Sequence, residues 1–113
     1  MGIRIVSLSL APKELLELLM GEIDGDLIHQ SYHRLDKGRS FGNLVLERFY
    51  PTENHQRMLA VHTENIKGVT NGTIITSSNP EVWRFQLDWD EEDNFMNEVM
   101  EIIDEYIIEE EEA

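Results

Sequence analysis

The change of hydrophobic period near residue 90 constrains this chain most. Upstream of it, short stretches rich in β-branched and aromatic residues are separated by Gly, Pro, Asn and Asp, the pattern of strands joined by turns. Downstream, from Glu91 to Ile108, the period becomes helical: Phe95, Met96, Val99, Met100, Ile102, Ile103, Tyr106 and Ile107 share a broad apolar face, and Glu98, Glu101, Asp104 and Glu105 lie opposite. Strands are expected over Ile3–Leu10, Leu27–Leu35, Phe41–Tyr50, Arg57–Thr63 and Thr73–Ser77. The sharpest alternation belongs to a sixth, with Trp83, Phe85, Leu87 and Trp89 on one face and Val82, Arg84, Gln86 and Asp88 on the other. A short helix opens at Pro12, which suits a first helical position, and Gly21 stands where a left-handed C-terminal cap is expected. Asp36-Lys37-Gly38-Arg39 reads as a hairpin connection, while Lys67-Gly68 and Asn71-Gly72 compete to close the central hairpin.

Consecutive strands joined by such short turns run antiparallel. The expected fold is therefore α+β: a two-layer domain with a curved, mostly antiparallel sheet of about five to six strands in the order β-α-β-β-β-β-β-α. The short N-terminal helix and the long C-terminal helix lie on one face of that sheet. Residues 1–108 form the single domain, and 109–113 form an acidic, disordered tail.

Charge is unevenly placed. The 113 residues carry a formal charge of −14, yet residues 88–113 hold 13 acids and no base, so nearly all of it falls in the last quarter. Such a segment does not bind phosphate backbones or anionic lipid, which require clustered Lys and Arg. Nucleic acid and membrane are therefore excluded as partners, and a basic protein surface is the partner that Glu98, Glu101, Asp104 and Glu105 would take. Cysteine is absent, which removes disulfides and thiolate metal sites. The N-terminus lacks the features of a secretory signal, and no run of apolar residues reaches the length of a membrane span. A cytoplasmic location is expected.

Several patterns suggest chemistry and lack its context. Gly38-Arg39-Ser40-Phe41-Gly42 matches the G-x-S-x-G elbow, but that motif needs a buried strand before the serine and a helix after it. Here a polar turn precedes it and a strand follows. His29 and His33 share a strand face that His62 could join, although their spacing is not that of a metal site. Asp88 to Asn94 begins like a calcium loop and then fails, with Asp93 at the glycine position and Val99 in place of the closing glutamate. No metal and no cofactor are expected. Tyr32, Arg34, Arg48, Tyr50 and Arg84, interleaved in strands, are the residues that would line a ligand site in a sheet concavity.

Tyr32 to Gly38, Leu44 to Tyr50, Asn54, Arg57, Leu59 and Val61, then Phe85 to Trp89 before a helix starting near Phe95, resemble a family of small uncharacterised bacterial proteins of Gram-positive type. That resemblance covers most of residues 26–108 and implies a compact α+β domain, with no catalytic residue to carry over. The chain departs from the family's pattern at Ser77-Ser78-Asn79-Pro80, where a Gly-rich segment is usual, and in its acidic end. The element order also resembles the topology of helix-grip proteins, in which a curved sheet wraps a long C-terminal helix around a ligand cavity. The expected function is that of a non-catalytic protein-interaction or regulatory module, with a small-ligand binder as the alternative. A homodimer is expected, because the apolar helix face and the aromatic strand exceed what two short layers cover.

Overall fold

The computed structural model describes residues 2–51, 55–78 and 94–111. Their order is β1 (Gly2–Leu8), α1 (Pro12–Glu22), β2 (Asp26–Arg34), β3 (Ser40–Tyr50), β4 (His55–Glu64), β5 (Thr70–Ser78), α2 (Asn94–Ile103), a 3-10 turn (Asp104–Tyr106) and β6 (Ile107–Glu111). The six strands form one antiparallel sheet, ordered β2-β3-β4-β5-β1-β6. The described residues thus form an α+β fold with two helices. The aromatic strand expected around Trp83 to Trp89 lies outside the described residues, as does the acidic Asp88 to Asp93 run.

Alternation along each strand decides what is buried. On β3, Leu44 and Leu46 are buried while Val45 and Glu47 are only partly so; their β4 partners Val61 and Leu59 are buried in step. These side chains join Val6, Leu8 and Ile74 of the sheet, Leu15, Leu16 and Leu19 of α1, and Phe95, Met96, Val99 and Ile103 of α2 in one core. Helix α1 lies against β3 and β4, and α2 against β5 and α1. An 11-residue helix is marginal alone and holds its shape here through that buried stripe.

Local signals were partly right about the helix ends. Pro12 opens α1, and Glu14 Oε1 accepts the Ala11 N–H at 2.8 Å, one half of a capping box. Gly21 is not the cap. The helix continues to Glu22, and Ile23 closes it by donating its N–H to the Leu19 carbonyl at 3.0 Å, because Ile23 gains burial by staying close.

Gly68 settles the central hairpin. It adopts φ +96°, which L side chains avoid, and donates its N–H to Asn65 O at 3.0 Å, while Asn71 and Gly72 continue β5. The β2–β3 connection is a tight turn in which Lys37 and Gly38 both take positive φ. Asn65 pins that turn by accepting the Ser40 N–H at 2.7 Å and donating to Gly38 O at 3.2 Å.

The C-terminal end differs most from expectation. The helix expected to reach Ile108 stops at Ile103, and the expected tail is a strand as far as Glu111: β6 runs antiparallel to β1 with Ile5 opposite Glu111 and Leu8 opposite Ile107. A strand therefore follows the last helix instead of the helix ending the fold. Two forces favour this. Continuing the helix would stack Glu109 to Glu111 on the negative end of its dipole. Turning at Asp104 instead lets the segment satisfy the backbone of β1, which would otherwise be a bare edge. Arg4 reinforces the join with a 2.6 Å ion pair to Glu110, and Ser9 donates its N–H to Tyr106 O at 2.8 Å.

Candidate functional site

The strand-borne ligand candidates fall into two separate places. Arg48 and Tyr50, on the core-facing side of β3, meet near its C-terminal end. Tyr32 and Arg34 pair with Gly42 and Ser40 at the other end, so six residues of β3, roughly 20 Å, separate the groups. Arg84 lies outside the described residues.

Arg48 is held by its own chain. Its Nε donates to Asp24 O at 2.6 Å, its Nη1 donates to the Tyr50 hydroxyl at 3.2 Å and lies 2.8 Å from Glu98 Oε2, and its guanidinium packs 4.8 Å from the centre of the Phe95 ring. Arg57, directly across on β4, stands 5.1 Å from the centre of the Tyr50 ring. Burial works against the Arg48 charge, but the hydrogen bonds and charges of Tyr50 and Glu98 outweigh it and raise its pKa above the ordinary value. The cluster is an interlock between β3, β4 and α2, with the arginine fork used internally.

Glu98 therefore does not belong to a free acidic face. Glu101, Asp104 and Glu105 are exposed, and with Glu109 and Glu111 of β6 they make one end of the molecule acidic. The Glu105 charge, with smaller help from partial burial, raises the Tyr106 phenol above its usual value of 10.0. A raised folded pKa favours the fold below the ordinary phenol value and ceases to do so as pH rises through the raised one. Ultraviolet titration is expected to show Tyr106 ionising late, and Glu105→Gln to bring it back toward the ordinary phenol value. A titration unchanged by Glu105→Gln would mean that the two side chains do not meet.

The remaining candidates are in structural use. Ser40 is buried beside the β2–β3 turn. His62 Nδ1 lies 2.8 Å from Asn43 Oδ1, and the His33 ring stacks on Phe41 at 5.0 Å. Among the described residues no hydrogen bond links any two of His29, His33, Ser40, His62 and Glu47, and no group of three His, Asp or Glu could hold a metal ion.

What the structure does assemble is a groove along β2. This strand pairs with β3 on one side and, among the described residues, with nothing on the other. Nine residues of backbone, roughly 30 Å, so present outward N–H and C=O groups. Beside it, a hollow of about 260 Å³ is lined by Lys13, Leu16, Glu17 and Met20 of α1 and by Gln30 and Tyr32 of β2. The helical residues stand three or four apart, on the flank that α1 turns toward the edge. Leu27 and Ile28, at the start of the strand, are 55% and 53% exposed. Of the described ligand candidates, only Tyr32 lines the hollow. The others in it were not legible, because neither Lys13 nor Met20 differs in pattern from any surface helix residue.

No helix among the described residues is long and apolar enough to cross a membrane. No family model, no curated protein and no solved structure matches the chain.

Proposed function

We propose that the chain is a non-catalytic protein-interaction module that captures an extended segment at the edge of β2. The observation that carries this reading is the long one-sided edge strand with a hollow beside it. Strand addition draws affinity from main-chain hydrogen bonds and specificity from pockets that take alternate side chains. The β2 edge supplies the first and the α1 hollow the second. The two-layer arrangement is part of the reading: both helices share one core with the sheet, which leaves the flank of α1 as the wall of a groove.

The hollow's size distinguishes this from a small-ligand site. Drug-sized ligands occupy clefts of roughly 300–1,000 Å³ that enclose most of their surface, whereas about 260 Å³ open at the sheet edge suits a side chain or two. A basic partner surface remains the natural complement of Glu101, Asp104 and Glu105, and would flank the acidic end of the molecule.

Selection of displayed random peptides against the folded protein tests the proposal. Recovered peptides are expected to alternate apolar and polar residues, to protect β2 amides from hydrogen exchange, and to lose about tenfold or more in affinity when Gln30→Trp fills the hollow. Selected peptides that leave β2 exchange unchanged would overturn it.

A further inference from the structure

We propose that the segment captured at the β2 edge runs antiparallel to β2 and carries an acidic residue two positions before an apolar one, with a basic residue further on. The proposal rests on the reading of that edge as a strand-accepting site and names the chemistry of what it accepts.

The edge and the helix beside it share one charge gradient. Helix α1 runs antiparallel to β2. Leu16 packs where Gly42 stands opposite Tyr32, whereas Asp24 and Gly25, just past the helix, lie against Arg48 and the Glu47 carbonyl, opposite Asp26. Lys13, almost one turn before Leu16, therefore stands toward the Arg34 end of the groove, and Glu22 toward the Asp26 end. At the first end Lys13, Arg34 and Lys37 are exposed, and none of them makes an ion pair among the described residues. Two nearby acids are engaged within the chain: Asp36 pairs with Arg39, and Glu14 accepts the Ala11 N–H. The positive end of the α1 dipole adds to the same side. Glu17 lies one turn along from Lys13, beside the hollow. At the far end stand Glu22, Asp24, Asp26 and Glu47, and the base among them, Arg48, is held by Glu98 and Tyr50.

Such a gradient orients what it binds. An acid is favoured beside Arg34 and Lys13, and a base beside Asp24 and Asp26. Antiparallel pairing, the slightly more stable ladder, then puts the acid toward the N-terminus of the bound segment.

Register supplies the spacing. Gln30, Tyr32 and Arg34 lie on the core side of β2, since their β3 partners Leu44, Gly42 and Ser40 are buried. The bulge between Leu27 and His29 leaves this stretch regular. In an added antiparallel strand, a residue beside Arg34 is followed two positions later by one beside Tyr32 and four positions later by one beside Gln30. The last two open on the hollow, where Leu16 and Met20 suit apolar groups. The pattern is thus acid-x-apolar-x-apolar.

The other described edge does not suit such a segment. Strand β6 has five residues and ends in Glu109-Glu110-Glu111, whereas β2 has nine with neither Pro nor Lys to blunt it. Five strand spacings, roughly 24 Å, separate the two edges, beyond the screening length of about 10 Å at 0.1 M salt. The β6 glutamates therefore do not oppose an acid beside Arg34.

Peptides selected from a random display library against the whole chain serve as probes. Those that protect β2 amides from hydrogen exchange are expected to be enriched in Asp or Glu two residues before an apolar one. Arg34→Glu and Lys13→Glu are each expected to weaken them about tenfold, and replacing the peptide's acid by Lys to recover most of the loss against Arg34→Glu. Both positions are exposed, and circular dichroism checks that each variant folds. Peptides that protect β2 yet show no acid at that spacing, or bind both variants as tightly as the natural chain, would overturn this proposal and leave the strand-accepting edge intact. Recovery of no peptide, or of peptides that leave β2 exchange unchanged, would overturn both.

Discussion

Gly42→Ala is expected to lower the melting temperature by roughly 10 °C, taking about 3 kcal/mol at about 4 °C per kcal/mol for a chain of this size. Gly42 lies on the core-facing side of β3, under α1 and opposite Tyr32. A Cβ there would sit 2.6 Å from Leu16 Cδ1 and 2.7 Å from the Ser31 carbonyl oxygen. Leu16 could turn aside, but Ser31 O belongs to the backbone of β2 and cannot move without parting the two strands. The damage should therefore be local as well as global, with β2 amides exchanging faster than those of β4 and β5. Gly72→Ala is the control. That position is also a buried strand glycine, yet its nearest contacts would be Leu15 and Leu8 methyls at 3.4 Å, so its cost should stay within about 1 kcal/mol. Equal melting temperatures for the two variants would refute the close approach of α1, β2 and β3 that forms the groove wall.

Phe95→Ala should cost about 4 kcal/mol, a large part of the roughly 5–15 kcal/mol that holds a domain of this kind together. Phe95 is fully buried at the start of α2 and is also the ring on which Arg48 packs. Its removal leaves a cavity between α2 and the sheet and takes one wall from a guanidinium that Glu98 and Tyr50 otherwise hold. Phe95→Leu separates these effects: it keeps most of the apolar volume and loses the ring face, so about 1 to 1.5 kcal/mol is expected from urea unfolding. A loss under 1 kcal/mol for both variants would mean that α2 does not depend on this anchor.

Most strands and both helices were legible because each carries its own periodicity. The apolar faces of α1 and α2 could be read by threes and fours, since burial on one side forces that spacing whatever the neighbours are, whereas the strands were legible as elements without the face that turns inward. Turn chemistry was legible only to the level of candidates: Lys67-Gly68 and Asn71-Gly72 look alike in sequence. The difference lies in which glycine is left-handed and which one continues a strand beneath Leu8 and Leu15. The site was less legible still. Arg48, Tyr50 and Glu98 were picked out by residue type, but type does not say whether a guanidinium faces a ligand or a neighbour in the same chain. Tyr32 was picked for the same reason and lies in the groove, whereas the α1 residues opposite it show no signal of their own.

The sequence alone determined the α+β class, the apolar face of the last helix and the concentration of acid in the last quarter, because these depend on local period and composition. Tertiary structure decided the rest. Glu109 to Glu111 read as solvated by every local rule, yet they complete the sheet, since β1 offered a row of unsatisfied backbone groups and the helix dipole opposed any further turn. Strand β2 reads like its neighbours and is the edge among the described strands because sheet order, which depends on long-range pairing, left it the end position. The competition between hydrogen bonds a chain can make at a distance and those it can make locally is invisible to periodicity, and it placed both the acidic strand and the groove.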